Sequence, residues 1–429
     1  MKAYSNYKDS GVSGIEQIPK HWILEKIKFV ATCNDEVLSD STADDEIINY
    51  VEIGDVDYVN GITNTTEYEF KEAPSRARRV TRPNDIIIST VRTYLKAIAK
   101  IAEPDLIVST GFAVIRPRKI DEIFMSYALL APTFIEEVMS RSFGVSYPAI
   151  KASSLMNIKI CIPPLSEQKA IASFLEAKTK PIDGIIAKRE KQIELLEEMK
   201  SAIISRAVTK GLNPEAQMKD SGIEWIGEIP EGWDVIKTSF LFQLIGSGTT
   251  PSKNAPNYAE EGLYWLQTGD FNDNYVNDTS KYITDLAVQN CSALTLFPKG
   301  CLVIAMYGAS IGKLGILNIE SYTNQACCVL GREKNILIKF AFYAYKAGRK
   351  ALINESRGGG QPNISQDIIS HFKIPVPPIN EQCNVIAYLD SETSKIDTRI
   401  TKRRKQIELL QEYKQALITA AVTGKIDVR

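Results

Sequence analysis

One long segment of this sequence occurs twice. KREKQIELLEEMKSAIISRAVT, from Lys188 to Thr209, returns near the C-terminus as KRRKQIELLQEYKQALITAAVT, from Lys402 to Thr423. The run Lys-Gln-Ile-Glu-Leu-Leu is identical in both copies. A repeat of this length predicts that the same structural unit was built twice within one chain.

A second repeat, which we call the arm, precedes each variable part of the chain. KDSGVSGIEQIPKHW, from Lys8 to Trp22, is similar to KDSGIEWIGEIPEGW, from Lys219 to Trp233. The order is therefore arm, variable block and helix, taken twice, as in a tandem duplication. Because the arm that serves the second helix is then the N-terminus itself, we expect residues 1–22 to pack near the C-terminal helix.

The two variable blocks have the same predicted layout of strands and helices. In the first block, short apolar runs bounded by turn formers predict strands at 49–53, 85–91, 107–108 and 112–115, followed by a helical stretch at 122–140. In the second block, the corresponding predictions are strands at 264–268, 301–306 and 326–330, then a helix at 336–354. Because the blocks share few letters, we expect a common scaffold with different surfaces.

Each block ends in a proline pair, at 163–164 and at 377–378, followed by Ser or Asn as a helix N-cap. A short helix is predicted to follow, to about Leu175 in the first copy and Leu389 in the second. Pro181 is then expected at the start of a separate long helix, where its missing N–H costs little. A long helix of about 28 residues spans roughly 42 Å, on the order of 12 base pairs of B-DNA.

Along both long helices, apolar residues recur at steps of three, four and seven and form one stripe per helix. The stripe residues are Ile182, Ile186, Ile193, Leu196, Ile203, Ile396, Ile400, Ile407, Leu410 and Leu417. Two such stripes in one chain are expected to pack on each other as an antiparallel, coiled-coil-like pair.

The predicted fold class is α+β: two mixed α/β domains joined by two long antiparallel helices in a pseudo-twofold tandem repeat. The predicted domains are the N-terminal arm (1–22), the first variable domain (23–162), a central helical spacer (163–218), the second variable domain with its entry arm (219–376) and a C-terminal helical spacer (377–429).

Apolar runs, the N-terminal sequence and the cysteine pattern indicate the compartment in which the protein is expected. No stretch approaches the ~18–20 uninterrupted apolar residues that a membrane helix needs, and the N-terminus lacks the apolar region of a secretory signal. The seven cysteines show no Cys-x-x-Cys pattern, which predicts reduced thiols. We therefore expect a cytoplasmic protein without a membrane partner.

The chain offers few residues for catalysis. Its two histidines, His21 and His371, are too few for a His-based metal site. The run 246–253 superficially resembles a phosphate loop, but it lacks the Gly-Lys-Ser/Thr ending and has Pro251 where a helix should begin. No dinucleotide glycine fingerprint is present, and the scattered Asp and Glu single out no nuclease site. No catalytic, cofactor-binding or metal-binding residue is predicted, and a binding module is favoured.

Charge is unevenly distributed, although the formal net charge is only -1. Acidic residues crowd the range 35–57, and basic residues follow between 76 and 96. Such a local patch is enough to bind nucleic acid, since affinity follows local phosphate neutralisation; simple solvated faces are the alternative. The candidate DNA-binding residues are Arg76, Arg78, Arg79, Arg92, Thr93, Tyr94, Lys96, Thr250, Ser252, Lys253, Tyr258, Tyr307, Lys313, Arg357, Gln361 and Asn363.

These residue types suit DNA in different ways. Arg can read guanine bidentately, Gln or Asn can read adenine, and Lys serves phosphates. The glycines in the loop 357–363 would let a backbone approach a groove closely. An ordinary flexible turn ahead of a strand is the alternative for that loop.

The alternation of two divergent blocks with two near-identical helical units resembles the specificity subunit (HsdS) of type I restriction-modification systems. The helical units open with Pro-Pro-x-x-Glu-Gln and carry Ile-Asp, Lys-Arg, Lys-Gln-Ile-Glu-Leu-Leu and Ala-Val-Thr in that order. In the second block, the runs 247–253, 264–265 and 268–270 are similar to a common class of target recognition domain in that family. The resemblance covers essentially the whole chain.

The resemblance implies a non-catalytic subunit in which each block is a target recognition domain that reads one half of a split DNA site. The helical pair would set the gap between the half-sites. The implied partners are double-stranded DNA, two methyltransferase subunits and restriction subunits that translocate DNA. S-adenosylmethionine, ATP and Mg would be bound by those partners and not by this chain. A single-chain nuclease or methyltransferase with built-in specificity, and a coiled-coil scaffold that never touches DNA, are the alternatives.

Overall fold

The computed structural model describes residues 2–12, 14–252, 257–356 and 363–429. The chain divides into two compact units: unit 1 is Met1–Glu190 with Arg403–Arg429, and unit 2 is Lys191–Lys402. Both long helices contribute one segment to each unit.

Unit 1 combines short strands with mostly short helices. Its strands are β1 (Tyr7–Val12), β2 (Ile15–Pro19), β3 (Ile23–Lys26), β4 (Ala31–Cys33), β5 (Ile47–Val51), β6 (Val56–Asp57), β7 (Gly61–Ile62), β8 (Thr66–Glu69), β9 (Ala77–Val80), β10 (Ile86–Ser89), β11 (Ile98–Lys100), β12 (Leu106–Ser109), β13 (Phe112–Pro117) and β14 (Lys159–Ile162). Its helices are α1 (Ile27–Val30), α2 (Glu122–Leu130), α3 (Pro132–Ser140), α4 (Ala152–Leu155) and parts of α5 (Leu165–Lys210) and α10 (Ile379–Val422).

Two four-stranded sheets frame unit 1, in the orders β11-β10-β13-β4 and β8-β5-β12-β9. The first sheet is antiparallel, with Ile87 of β10 opposite Val114 of β13. In the second sheet, strands β5 and β12 are parallel to each other. Ile86 and Ile88 face the core formed with the helices, and Ile87 faces a second core on the other side. Because both faces of β10 are buried, its sequence is a continuous apolar run and not an alternating one.

Unit 2 has the same kind of content. Its strands are β15 (Met218–Asp220), β16 (Glu228–Pro230), β17 (Asp234–Lys237), β18 (Phe242–Ser247), β19 (Tyr258–Ala259), β20 (Leu263–Leu266), β21 (Asn274–Val276), β22 (Tyr282–Ile283), β23 (Leu302–Ala305), β24 (Leu314–Leu317), β25 (Tyr322–Thr323), β26 (Cys327–Glu333) and β27 (Lys373–Val376). Its helices are α6 (Thr238–Leu241), α7 (Asp285–Asn290), α8 (Ile338–Asn354), α9 (Gln366–His371) and the remaining parts of α5 and α10.

The main sheet of unit 2 repeats the main sheet of unit 1. Its order is β18-β26-β23-β24-β21, so that β18, β26, β23 and β24 take the places of β4, β13, β10 and β11. Two short hairpins, β1-β2 and β15-β16, share a register as well, since Tyr7 pairs with Pro19 and Met218 pairs with Pro230. The predicted tandem repeat of two mixed α/β domains with long helices is confirmed.

In unit 1 the N-terminal arm contacts the end of α10. Lys2 forms an antiparallel bridge with Asp427, and the Tyr7 hydroxyl donates a hydrogen bond of 3.1 Å to the Gly424 carbonyl. Gly424 has φ +74°, a left-handed conformation that suits glycine just beyond a helix C-terminus.

The expectation of two successive helices after each proline pair is wrong. α5 is one helix of 46 residues with Pro181 inside it, and α10 is one helix of 44 residues. Ile171, Ala172 and Leu175 of α5 are buried in the core of unit 1. Since packing fixes the helix ahead of Pro181, it outweighs the ~3 kcal/mol that an internal proline costs.

The predicted helical stretch 122–140 is two helices, α2 and α3, bent by 60°. The break lies at Ala131, which has an extended backbone with ψ 137°. It precedes Pro132, whose ring disfavours the helical conformation of the preceding residue. No single helix in the described ranges is long and apolar enough to cross a membrane, although this bent pair meets that test by length and composition.

Within each unit, one end of α5 lies beside the opposite end of α10. In unit 1, Lys414 Nζ is 2.6 Å from Asp183 Oδ1; in unit 2, Lys200 Nζ is 2.6 Å from Asp397 Oδ1. The stripe residues Ile182, Ile186, Ile396, Ile400 and Leu417 are buried, and Ile193, Leu196, Ile203, Ile407 and Leu410 are half-buried. The two equivalent ion pairs mark the same antiparallel contact in both units.

Candidate nucleic-acid interface

A short loop after β10, residues 91–96, carries four of the candidate residues. Arg92 and Lys96 both have φ +52°, a left-handed conformation that non-glycine residues rarely adopt. Thr93 is buried and donates a hydrogen bond of 2.8 Å to Ser142 Oγ, while Arg92, Tyr94 and Lys96 are exposed. The buried threonine thus holds a strained loop that presents three side chains outward.

A second segment, residues 142–149, lies against this loop. Ala149 bridges both Val91 and Phe143, and Thr93 N donates to Pro148 O at 3.3 Å. Phe143 is 82% exposed and Tyr147 is 66% exposed. The Arg92 guanidinium lies 5.1 Å from the centre of the Tyr147 ring, a cation–π distance.

Five exposed side chains therefore lie on a backbone anchored to β10, and we call them the aromatic cluster. They are Arg92, Tyr94, Phe143, Val145 and Tyr147. In contacts with nucleic acid, a guanidinium can donate to phosphates or to a guanine edge, and the rings can make apolar contacts beside it. The sequence analysis does not include Phe143, Val145 and Tyr147 among the candidates. The feature that could have indicated them is the run Phe-Gly-Val-Ser-Tyr-Pro at 143–148, which places large apolar residues at a turn.

The remaining basic candidates of unit 1 lie on and beside β9. Arg76 is exposed in the preceding turn, and its carbonyl accepts from Thr110 N at 2.8 Å. Thr90 N donates to Gly111 O, also at 2.8 Å, so the turn at 110–111 links Arg76 to the loop after β10.

Arg78 and Arg79 are half-buried and less available to a ligand. Arg78 lies 3.5 Å from Asp40 and 4.8 Å from the centre of the Phe70 ring. Arg79 Nε is buried and has no hydrogen-bond partner among the described residues.

The first acidic residues of the range 35–57 pair with nearby arginines. Asp35 pairs with Arg118 at 3.1 Å, and Glu36 pairs with Arg116 at 2.9 Å and also contacts Arg82. Burial alone would raise the pKa of Asp35, but hydrogen bonds from Thr32 and Arg118 hold it below its ordinary value. Several of the charges counted in the sequence therefore neutralise each other inside unit 1.

Unit 2 places a loop after β23 where unit 1 has the loop after β10. Tyr307 bridges Asn363, as Val91 bridges Ala149. Each loop continues into a single turn of 3-10 helix, Thr93–Leu95 in unit 1 and Gly308–Ser310 in unit 2. The loops therefore share a backbone position but present different side chains.

The other described candidates of unit 2 are Lys313, which is half-buried at the end of that loop, and three residues near β18 and β19. Thr250 is exposed and donates to Gln325 Oε1 at 2.5 Å. Ser252 Oγ accepts from Asn257 at 2.8 Å, and Tyr258 donates to Pro251 O at 3.1 Å. The exposed Gln325 was also missed, since nothing in its sequence marks it.

The glycine of the run 247–253 has a steric role. A Cβ on Gly248 would lie 1.8 Å from the Thr323 carbonyl oxygen, and Gly248 N donates to Thr323 Oγ1 at 3.0 Å. Only glycine allows this approach of β18 to β25. The candidates Lys253, Arg357 and Gln361 lie outside the described residues.

No group of three or more His, Cys, Asp or Glu side chains that could hold a metal ion occurs in the described part of the chain. The candidate side chains include rings, a guanidinium, hydroxyls and amides, on the two equivalent loops and on neighbouring segments.

The chain matches a family model described as the type I restriction modification DNA specificity domain, over residues 27–195 and again over 230–409. It is 29% identical to the type I restriction enzyme MjaVIII specificity subunit of Methanocaldococcus jannaschii, over 72% of this chain and 71% of that protein. It is 22% identical to the type I restriction enzyme EcoKI specificity subunit of Escherichia coli strain K12, over 96% of this chain and 90% of that protein.

The fold also matches a chain in a solved structure concerned with complex assembly and conformational transition of the type I R-M system. The TM-score is 0.69 at 23% identity, over 95% of this chain and 99% of that chain. The two family matches fall one on each copy of the repeat and together cover most of the sequence. The chain therefore belongs to the type I restriction-modification DNA specificity family, and it is a non-catalytic DNA sequence-specificity subunit that acts in a complex with DNA and other subunits.

Proposed function

We propose that each unit reads one half of a bipartite DNA site through the loop that follows β10 or β23. The observation that carries this proposal is the equivalence of the two loops. They leave the same strand of the same sheet, yet one presents Arg92 and Tyr94 and the other Tyr307. A shared scaffold with different side chains on the loop gives two readers with separate specificities.

In unit 1 the aromatic cluster supplies the contact. Tyr147 holds the Arg92 guanidinium in place without neutralising it, so the guanidinium keeps its donors for a base edge or a phosphate. Arg76, beyond the turn at 110–111, adds a charge for the backbone. Unit 2 uses Tyr307, Asn363 and Thr250 with Gln325, which are neutral groups suited to base edges.

The test is duplex binding by the assembled complex, measured by fluorescence anisotropy across a series of salt concentrations. Arg92→Ala is expected to weaken specific binding by ~1–3 kcal/mol, that is roughly 5- to 150-fold. Arg118→Ala is the matched control, because Arg118 is an exposed arginine of the same unit that pairs with Asp35. Equal effects of the two substitutions would contradict the assignment. Absence of salt-dependent duplex binding by the unaltered complex would favour a scaffold that does not touch DNA.

The helical segments set the gap between the half-sites. α5 and α10 each pass from one unit to the other, at Glu190–Lys191 and at Lys402–Arg403, so residues added there change helix length without altering either unit. One added heptad lengthens a helix by about 10 Å, or roughly three base pairs of B-DNA.

Two methyltransferase subunits dock on the helices at equivalent positions. Unit 2 exposes Leu195 and Met199 on α5, and unit 1 exposes Leu409 and Tyr413 on α10. Leu195 and Leu409, each 51% exposed, occupy the same place in the repeated segment, as do Met199 and Tyr413. Two matching apolar patches on helices favour two copies of one helical partner.

The partners supply the chemistry. Methyltransferase subunits bind S-adenosylmethionine and methylate adenine, and restriction subunits add ATP- and Mg-dependent translocation and cleavage. The complex works in the cytoplasm, where its DNA is.

A further inference from the structure

A buried carboxyl group in unit 1 ties the arm to the start of α5. Glu167 is only 4% exposed. It accepts hydrogen bonds from the Tyr4 hydroxyl and from Trp22 Nε1 at 3.1 Å, and His21 Nε2 lies 2.8 Å from its other oxygen. The carboxyl group therefore has a phenol, an indole and an imidazole of the arm as partners. Arg429 Nε lies 4.0 Å from the same carboxyl group.

The equivalent carboxyl group in unit 2 has far fewer partners. Glu381 is exposed near the start of α10, and Trp233 Nε1 donates to it at 2.7 Å. The arm hairpins share one register, so Trp233 corresponds to Trp22 and Gly232 stands where unit 1 has His21. The indole is kept, but the imidazole and the phenol have no counterpart among the described contacts of Glu381.

A cavity takes the place of those groups. Its volume is about 380 Å³, and its lining includes Trp233, Glu381, Gly232, Lys210, Asn213 and Gln217. This volume lies within the range of ~300–1,000 Å³ typical of ligand pockets. Nothing lies within 4 Å of where a Gly232 Cβ would be, so the space beside the carboxyl group is open.

We propose that this cavity binds a tyrosine side chain, with a basic neighbour, from a segment of a partner polypeptide. The phenol donates to Glu381, as Tyr4 donates to Glu167, and packs beside Trp233, as Tyr4 packs 5.8 Å from the Trp22 ring. The basic neighbour takes the place of the imidazole and complements Glu381 and Glu231, which also lines the cavity. Unit 1 fills the equivalent position with its own arm, so within the described ranges the open position is the one in unit 2.

The test uses the full chain labelled with 5-fluorotryptophan, whose four tryptophans include Trp22 in unit 1 and Trp233 in unit 2. Tyramine, which joins a phenol to an ammonium group, is titrated into the protein. The fluorine resonances of the labelled tryptophans are followed by NMR. We expect a saturable shift of the Trp233 resonance and none of the Trp22 resonance. Phenethylamine, which lacks the hydroxyl, should bind about tenfold or more weakly, since it cannot donate to the carboxyl group.

Two variants make the result decisive. Gly232→His restores the imidazole of unit 1 and should weaken tyramine binding about tenfold or more, as should Glu381→Gln. Equal binding of tyramine and phenethylamine, or no change in either variant, would overturn the proposal. A shift of Trp233 on raising the protein concentration without tyramine would assign the cavity to a second copy of this chain and overturn it too. The inference is independent of how DNA is read, so its failure leaves the proposed function standing.

Discussion

The substitution Glu167→Gln tests how unit 1 is held together. Glutamine keeps one carbonyl oxygen but replaces the other with an NH2 group, which cannot accept a hydrogen bond. Glu167 is buried and accepts from Tyr4 and Trp22, with His21 at 2.8 Å. Hydrogen bonds to a charged group contribute ~1.5–3 kcal/mol, and a buried donor left without a partner costs ~1–3 kcal/mol.

We therefore expect Glu167→Gln to lower the free energy of unfolding of unit 1 by about 2–4 kcal/mol. In a unit of roughly 200 residues this corresponds to a fall in melting temperature of about 4–16 °C. The matched control is Glu381→Gln in unit 2. Because Glu381 is exposed and accepts from Trp233 alone among the described contacts, its substitution should cost about 1 kcal/mol or less.

Urea unfolding of the 5-fluorotryptophan chain separates the two effects. Trp22 reports on unit 1, and the other three tryptophans, Trp225, Trp233 and Trp265, report on unit 2. Glu167→Gln should move the Trp22 transition and leave the unit 2 transitions nearly in place. Equal losses from the two substitutions, or a loss confined to unit 2, would refute the reasoning.

The same carboxyl group predicts a pH dependence. Burial would raise the pKa of Glu167, but hydrogen bonds from Tyr4, His21 and Trp22 outweigh burial and hold that pKa below its ordinary value of 4.5. A lowered carboxyl pKa contributes stability that is fully present above the ordinary value and is lost as the pH falls through the folded value. The difference in unfolding free energy between the wild type and Glu167→Gln should shrink as the pH falls below about 4.5.

Three further predictions concern other parts of the molecule. The double substitution Leu195→Asp with Met199→Asp should leave one methyltransferase subunit bound in place of two, as measured by native mass spectrometry. Loss of both subunits, or of neither, would contradict two equivalent docking patches. One heptad inserted in α5 and matched in α10 should lengthen the gap between half-sites by about three base pairs in a methylation map, and an unchanged gap would refute the helical ruler. Gly248→Ala should destabilise unit 2 by about 3 kcal/mol or more. Gly269→Ala should be nearly neutral, because Gly269 has open space around it. Similar urea midpoints for the two variants would contradict the steric role of Gly248.

The sequence predicts the repeated scaffold well, because duplication and hydrophobic pattern are both visible in it. β10, β13 and α8 lie close to their predicted ranges. The failures occur where tertiary packing overrides a local rule. Pro181 marks a helix start by sequence, but the buried residues on either side of it keep α5 continuous.

The candidate interface is predicted less completely, since composition does not reveal which side faces solvent. Arg78 counts as a free charge in the sequence, yet it lies against Asp40 and the Phe70 ring. Phe143 and Tyr147 look like core residues by type, yet the bridge of Ala149 to Val91 places them outside. Exposure of this kind depends on contacts between segments far apart in the chain.

We propose above that each unit reads its own half of a bipartite DNA site. The most direct measurement is a genome-wide map of adenine methylation in cells that carry either the wild-type subunit or a chimera with residues 23–162 replaced by another target recognition domain. We expect a two-part methylated sequence in which the exchange alters one part and leaves the other part and the gap unchanged. A change in both parts, or in neither, would contradict it.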